Sequence, residues 1–150
     1  MTMSDSQNPG ISEPEVAISR RQLIGESPIM ISEIFSGCLY AGLFGTLDSV
    51  RIKKFNDSIL EVISRSDADY IIIDLSNIEI IDSAIANHIL RLNKTLQLVG
   101  VNVIFSGIQP VVAQSMVSSG VELENITVMK NLRQSLKEVY TLNGYHLVKI

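Results

Sequence analysis

The chain has 150 residues, 46% of them hydrophobic, enough for one globular domain with a substantial core. A formal charge of −4 and a pI near 5.1 argue against a nucleic-acid or anionic-membrane partner, since either calls for a basic field. No apolar run approaches the roughly 18–20 residues of a membrane span, the opening Met1-Thr-Met-Ser-Asp-Ser6 has no secretion-signal pattern, and the single Cys38 forms no internal disulfide; a cytoplasmic protein is expected.

Residues 1–28 are rich in Ser, Glu, Pro and Asn, with Pro9-Gly10 and Pro14 as breakers, and read as a mobile tail ahead of a domain over 29–150. Within the tail, Val16 to Ile24 carries a few apolar residues able to dock on the domain or on a partner. Ile29–Phe35 and Cys38–Phe44 flank Ser36-Gly37, a two-residue hairpin signal. Cys38 sits in the apolar run Cys38-Leu-Tyr-Ala41, which suits a buried inert thiol better than a nucleophile. Beyond Gly45-Thr-Leu-Asp48, capped by Asp48 or Ser49, the residues Ile52, Phe55, Ile59, Val62 and Ile63 recur at helical spacing. Tyr70–Leu75 reads as a strand buried on both faces.

A helix follows over about Ser83–Val99, with Gly100 as its stop. At about 100° per residue, Ile85, Ile89, Leu92, Leu96 and Val99 form one narrow apolar stripe. Ser83, Asn87, Arg91 and Lys94 share the opposite face within about 80°, flanked by Ala86, Leu90 and Gln97. Leu90 on that face is either a scattered surface leucine or the centre of a docking surface. Val101–Phe105 is a further strand, Pro110 opens a short helix ended by Gly120, Ile126–Met129 is a last short strand, and Asn131 caps a C-terminal helix carrying Leu132, Leu136, Val139 and Tyr140. The order β-β-α-β-α-β-α-β-α predicts an α/β fold: a mixed, mostly parallel sheet of about five strands with four α-helices and right-handed crossovers.

Catalytic chemistry is hard to find. His88 and His146 make no metal-ligand spacing, and no cofactor or metal is expected. Gly42-Leu-Phe-Gly45 resembles a phosphate cradle but lacks the lysine of a P-loop. His88 stands about 140° around the helix from Ser83, so the two make no nucleophile–base pair; His88 reads as a boundary residue beside the core. Asp74 and Asp82 flank one loop as cap and turn residues. Ser83 has two readings: a plain helix cap, or a hydroxyl presented to a kinase.

Four stretches together resemble the STAS domain family of sulfate-transporter and anti-sigma-factor-antagonist domains: Gly45-Thr-Leu-Asp48, Ile73-Asp-Leu-Ser76, Ile80-Ile-Asp-Ser-Ala-Ile-Ala86 and Ser106-Gly-Ile-Gln-Pro-Val-Val-Ala-Gln114. The likeness covers about Ile29 to Tyr140 and is greatest to stressosome proteins of the single-domain RsbS type. It implies a STAS fold and a non-enzymatic regulator in a stress-response partner-switching pathway. An RsbT-type serine/threonine kinase would be held until Ser83 is phosphorylated, and a PP2C-type phosphatase would restore it. RsbR-type STAS paralogues and a homo-oligomer or large hetero-assembly are the further partners implied. Ser106 stands where the resemblance places a second modified residue, and Asp82, Ser83, Ala86, Asn87, Leu90, Arg91 and Lys94 form the expected partner surface. The tail departs from the compact RsbS pattern, which keeps open the C-terminal part of an RsbR-type sensor paralogue. A simple anti-sigma-factor antagonist and, less favoured, a small hydrolase also stay open.

Overall fold

The computed structural model describes residues 29–79, 81–120 and 122–150; the expected tail 1–28, with its Val16–Ile24 stretch, lies outside them. Strands β1 (Ile29–Phe35) and β2 (Cys38–Gly45) form the expected hairpin, with Phe35 opposite Cys38 and Gly37 at φ +83° in the turn. Helix α1 (Ser49–Ser64) begins at Asp48, whose Oδ1 accepts from the Arg51 N–H at 2.8 Å. β3 (Tyr70–Ile78), α2 (Ser83–Leu98), β4 (Asn102–Ser106), α3 (Pro110–Ser118), β5 (Thr127–Met129) and α4 (Leu132–Leu142) complete the order.

The five strands lie side by side in chain order, β1 antiparallel to β2 and the other neighbours parallel. Crossovers of a single hand between strands that advance in one direction stack their helices on one face. α1, α2 and α3 accordingly share one core with Leu39, Ala41, Leu43, Ile71, Ile73, Leu75, Val103 and Phe105. α4 follows the last strand and returns over the other face, where Val139 packs with Cys38, Ile72 and Ile104. β3 is buried from Ile71 to Leu75, as a central strand covered on both faces must be.

The apolar face of α2 is wider than the sequence period implies. Ala86 and Leu90 join Ile85, Ile89, Leu92, Asn93 and Leu96 in burial, while Val99 is the 59%-exposed C-cap. The buried arc spans about 160° in place of a narrow stripe. Its extra width faces α3, a neighbour that α2's own spacing does not encode. Leu90 and Ala86 are therefore core residues, which corrects their assignment to an exposed docking face.

Candidate functional site

The junction between β3 and α2 is built from a cap and an anchor. Asp82 takes an extended backbone (φ −93°, ψ 177°), and its Oδ1 accepts from the Ile85 N–H at 2.8 Å. Its carbonyl accepts from the Ala86 N–H at 3.0 Å, the first turn of helix. Ile81 before the cap and Ala86 four positions after it both belong to the main core, the placement of a hydrophobic staple. The cap role thus falls to Asp82, and Ser83 is the first helical residue. Its side chain is exposed, and its hydroxyl makes no hydrogen bond among the described residues.

No acidic side chain stands in the first turn of α2. The free backbone N–H groups there leave a partial positive charge beside Ser83. Farther along the same side, Asn87, Leu90, Arg91 and Lys94 line a groove of about 360 Å³ with Ser119 and Glu122. Arg91 and Lys94 are exposed and make no ion pair among the described residues, where the one salt bridge is Arg65–Glu61 at 2.7 Å. Ser83 therefore stands at the N-terminal end of a stripe that continues into a groove with two cations on its rim. Leu90, buried to 2% exposure, forms part of the groove's base, where the sequence suggested a protruding leucine.

Ser106, the secondary candidate, is buried where Ser83 is exposed. It ends β4 with no exposed surface, and its hydroxyl has no hydrogen-bond partner among the described residues. His88 is half-buried, and its carbonyl accepts from Asn56 Nδ2 at 3.3 Å, in keeping with a boundary residue. Gly42-Leu-Phe-Gly45 lies within β2, without the strand-to-helix placement of a P-loop. Among the described residues, no three His, Cys, Asp or Glu side chains are grouped as metal ligands.

Asp74 is not a turn residue. It sits in β3, 7% exposed, and accepts from the Tyr40 hydroxyl at 2.7 Å, the Ser76 hydroxyl at 2.6 Å and the Ser76 N–H at 3.0 Å. Burial, then the hydrogen bond to Asp74 and its charge, push the Tyr40 phenol up to about 12. Gln109 Nε2 donates to the Ser76 carbonyl, and Gly107 (φ +71°) packs so closely that an added Cβ would stand 2.7 Å from Ser76 Cβ. This network pins the Ser106–Pro110 turn to the end of β3. Its one sequence signal is a lone aspartate inside an apolar strand. Cys38 is fully buried, and burial pushes its thiol up to about 11, which makes it inert.

Residues 31–139, most of the described chain, match the family described as the STAS domain. The chain belongs to the STAS family. It is 30% identical over 118 residues to the RsbT co-antagonist protein RsbRB of Bacillus subtilis (strain 168), covering 79% of this chain and 43% of that protein. The chain thus spans less than half the length of the curated relative it matches. A serine-to-glutamate variant of RsbS from Moorella thermoacetica shares the fold with a TM-score of 0.69 at 22% identity, over 79% of this chain and 100% of that one. A chain of a solved stressosome, described as a signal integration and transduction hub, gives 0.62 at 20% identity over 77% and 100%. The STAS protein described here is thus similar in sequence to an RsbT co-antagonist protein and shares its fold with RsbS and with a chain of the stressosome. Among the described residues, no helix is long and apolar enough to cross a membrane.

Proposed function

We propose that this STAS protein is a phosphorylation-controlled docking module of a stress-response partner-switching pathway. It holds an RsbT-type serine/threonine kinase along α2 and releases it when Ser83 is phosphorylated. The supporting observation is the division of labour at the helix start: Asp82 caps, and the Ser83 hydroxyl is exposed and unengaged. Phosphate at Ser83 brings about −1.5 to −2 charges beside Asp82. The helix N-terminus favours that charge by about 0.3–1 kcal/mol, so the fold tolerates it. A partner surface matched to a neutral hydroxyl does not, because like-charge juxtaposition at an interface costs several kcal/mol. At about 1.4 kcal/mol per factor of ten, a micromolar complex is switched off.

A PP2C-type phosphatase resets the switch, and STAS paralogues of the RsbR type co-assemble with this chain in a large particle inside the cell. The protein itself carries out no catalysis in this scheme. The resemblance to RsbRB across 79% of the chain favours the co-antagonist branch over the single-domain RsbS type. Incubation with the switch kinase and ATP, followed by mass spectrometry, tests the proposal: phosphate on Ser83 supports it, and an unmodified Ser83 removes it. By calorimetry, Ser83→Ala keeps the kinase bound and Ser83→Asp weakens the complex.

A further inference from the structure

The sheet ends on β1, whose outer side has no neighbour among the described residues. Its sequence Ile29-Met-Ile-Ser-Glu-Ile-Phe35 holds one charge and neither lysine nor proline, so its outer N–H and C=O groups are open to another strand. A register shift between Glu33 and Phe35 leaves Ile34 unpaired with β2 and 38% exposed. At the Phe35 end of this edge α4 stops in a Schellman turn. The Gly144 N–H donates to the Thr141 carbonyl at 3.0 Å and the Tyr145 N–H to the Tyr140 carbonyl at 2.9 Å. Tyr140 stacks on Phe35 with ring centroids 4.6 Å apart, and Tyr145 meets Tyr140 edge-on at 6.2 Å. The chain thus leaves α4 beside the end of β1. Residues 145–150, Tyr-His-Leu-Val-Lys-Ile, are all exposed and, past the Tyr145 N–H, make no hydrogen bond among the described residues. Leu147 is 58% exposed and Val148 80%, in a run rich in strand-forming residues.

We propose that residues 145–150 of one copy pair as an added strand with β1 of a second copy, reciprocally across a two-fold axis. Charge complementarity favours this occupant. Glu33 lines a groove of about 420 Å³ with Asp67 and Asp69, and the arginine there, Arg65, is already engaged by Glu61. Lys149 is exposed and makes no ion pair among the described residues. An antiparallel alignment with Lys149 across from Glu33 sets Val148 beside Ile34 and Leu147 beside Phe35. Charge then meets charge and apolar meets apolar in one register, and a one-residue slip loses both. The area agrees as well. Covering Leu147, Val148, Ile150 and the matching surface of β1, in both directions, removes about 1,200 Å² from water, the low end of stable interfaces. Within one copy the same segment starts beside Phe35 and still leaves β1 unpaired, which assigns the pairing to a second copy. The α2 groove borders the connection into β5 at the other edge of the sheet, so the inference does not rest on the Ser83 switch.

Sedimentation velocity of the full chain across the micromolar range tests the pairing. Wild type is expected to dimerise, and Leu147→Asp/Val148→Asp to stay monomeric with an unchanged melting temperature, because both side chains are exposed. Lys149→Glu should weaken the dimer roughly tenfold, and Glu33→Lys in the same chain should restore it. A wild type that is monomeric throughout overturns the proposal. A Leu147→Asp/Val148→Asp variant that dimerises like wild type overturns it too, because another surface is then the contact, and so does a charge swap that restores nothing. A disulfide fixes the location: copies carrying Ile34→Cys are mixed with copies carrying Val148→Cys under mild oxidation. A mixed disulfide between the two supports the exchange, and its absence refutes it. If the double variant Ile34→Cys/Val148→Cys closes a disulfide only within one chain, the segment covers its own β1 and the proposal fails.

Discussion

Leu90 and Arg91 are chain neighbours on opposite sides of the boundary between core and groove, which makes them a sharp test of how α2 is seated. Leu90 is 2% exposed and belongs to the main core cluster. Leu→Ala in a core costs about 2–5 kcal/mol, rising with the cavity that remains. The groove beside Leu90 lets neighbours and water move in, so the lower part of that range applies, about 2–3 kcal/mol. For a domain of roughly 120 residues, each kcal/mol moves the melting temperature by about 4 °C. Leu90→Ala should then melt roughly 8–12 °C below wild type. Arg91→Ala, on the exposed rim, should stay within about 0.5 kcal/mol, or about 2 °C. Thermal melts followed by circular dichroism give both numbers, and a kinase-binding measurement on Arg91→Ala reads the surface without disturbing the fold. If Leu90→Ala melts within about 3 °C of Arg91→Ala, the helix is rotated from the seating described here, and the groove is not its partner surface.

Asp82→Ala removes the side-chain cap of α2 and should cost about 1 kcal/mol, a drop of roughly 4 °C in the same melts; no change would mean that Ser83 takes over as cap. Gly107→Ala combines a φ of +71° with the 2.7 Å approach to Ser76 Cβ, so its cost should exceed that of Gly45→Ala, where φ is +80° but nothing lies within 4 Å of the added Cβ. The latter should cost about 1–2 kcal/mol, and equal denaturant midpoints for the two would contradict the close packing at Gly107. Cys38 and Tyr40 have folded-state pKa values of about 11 and 12, raised from 9.0 and 10.0, so the folded chain keeps protons that the unfolded chain releases. Their contribution is whole below about pH 9 and is lost as pH rises to about 12. Urea melts across that window should show Tyr40→Phe flattening the upper part of the fall; an unchanged slope would refute it.

Much of this molecule is written in local pattern. The hairpin follows from Ser36-Gly37, the ends of α1 and α4 from Asp48 and Asn131, the central strand from Tyr70–Leu75, and the sheet order from strands alternating with helices. Such features depend on neighbours in sequence: turn dihedrals, side-chain oxygens reaching nearby N–H groups, and the period of apolar residues. Ser83 was visible for the same reason, as a hydroxyl at a helix start. Whether it caps or projects was not visible, because Asp82 and Ser83 are both good caps and only the backbone geometry assigns the role. The burial of Leu90 and Ala86 depends on α3, whose arrival beside α2 is a long-range event that helical period alone does not contain. The Tyr40–Asp74 hydrogen bond likewise joins residues 34 apart in the chain, and the enclosure of Ser106 depends on its pairing with β3 at Asp74. Sequence by itself determined which elements form and which residue types lie near their ends. Tertiary packing decided which face of each element is free, because burial belongs to the assembled layers and not to any one segment.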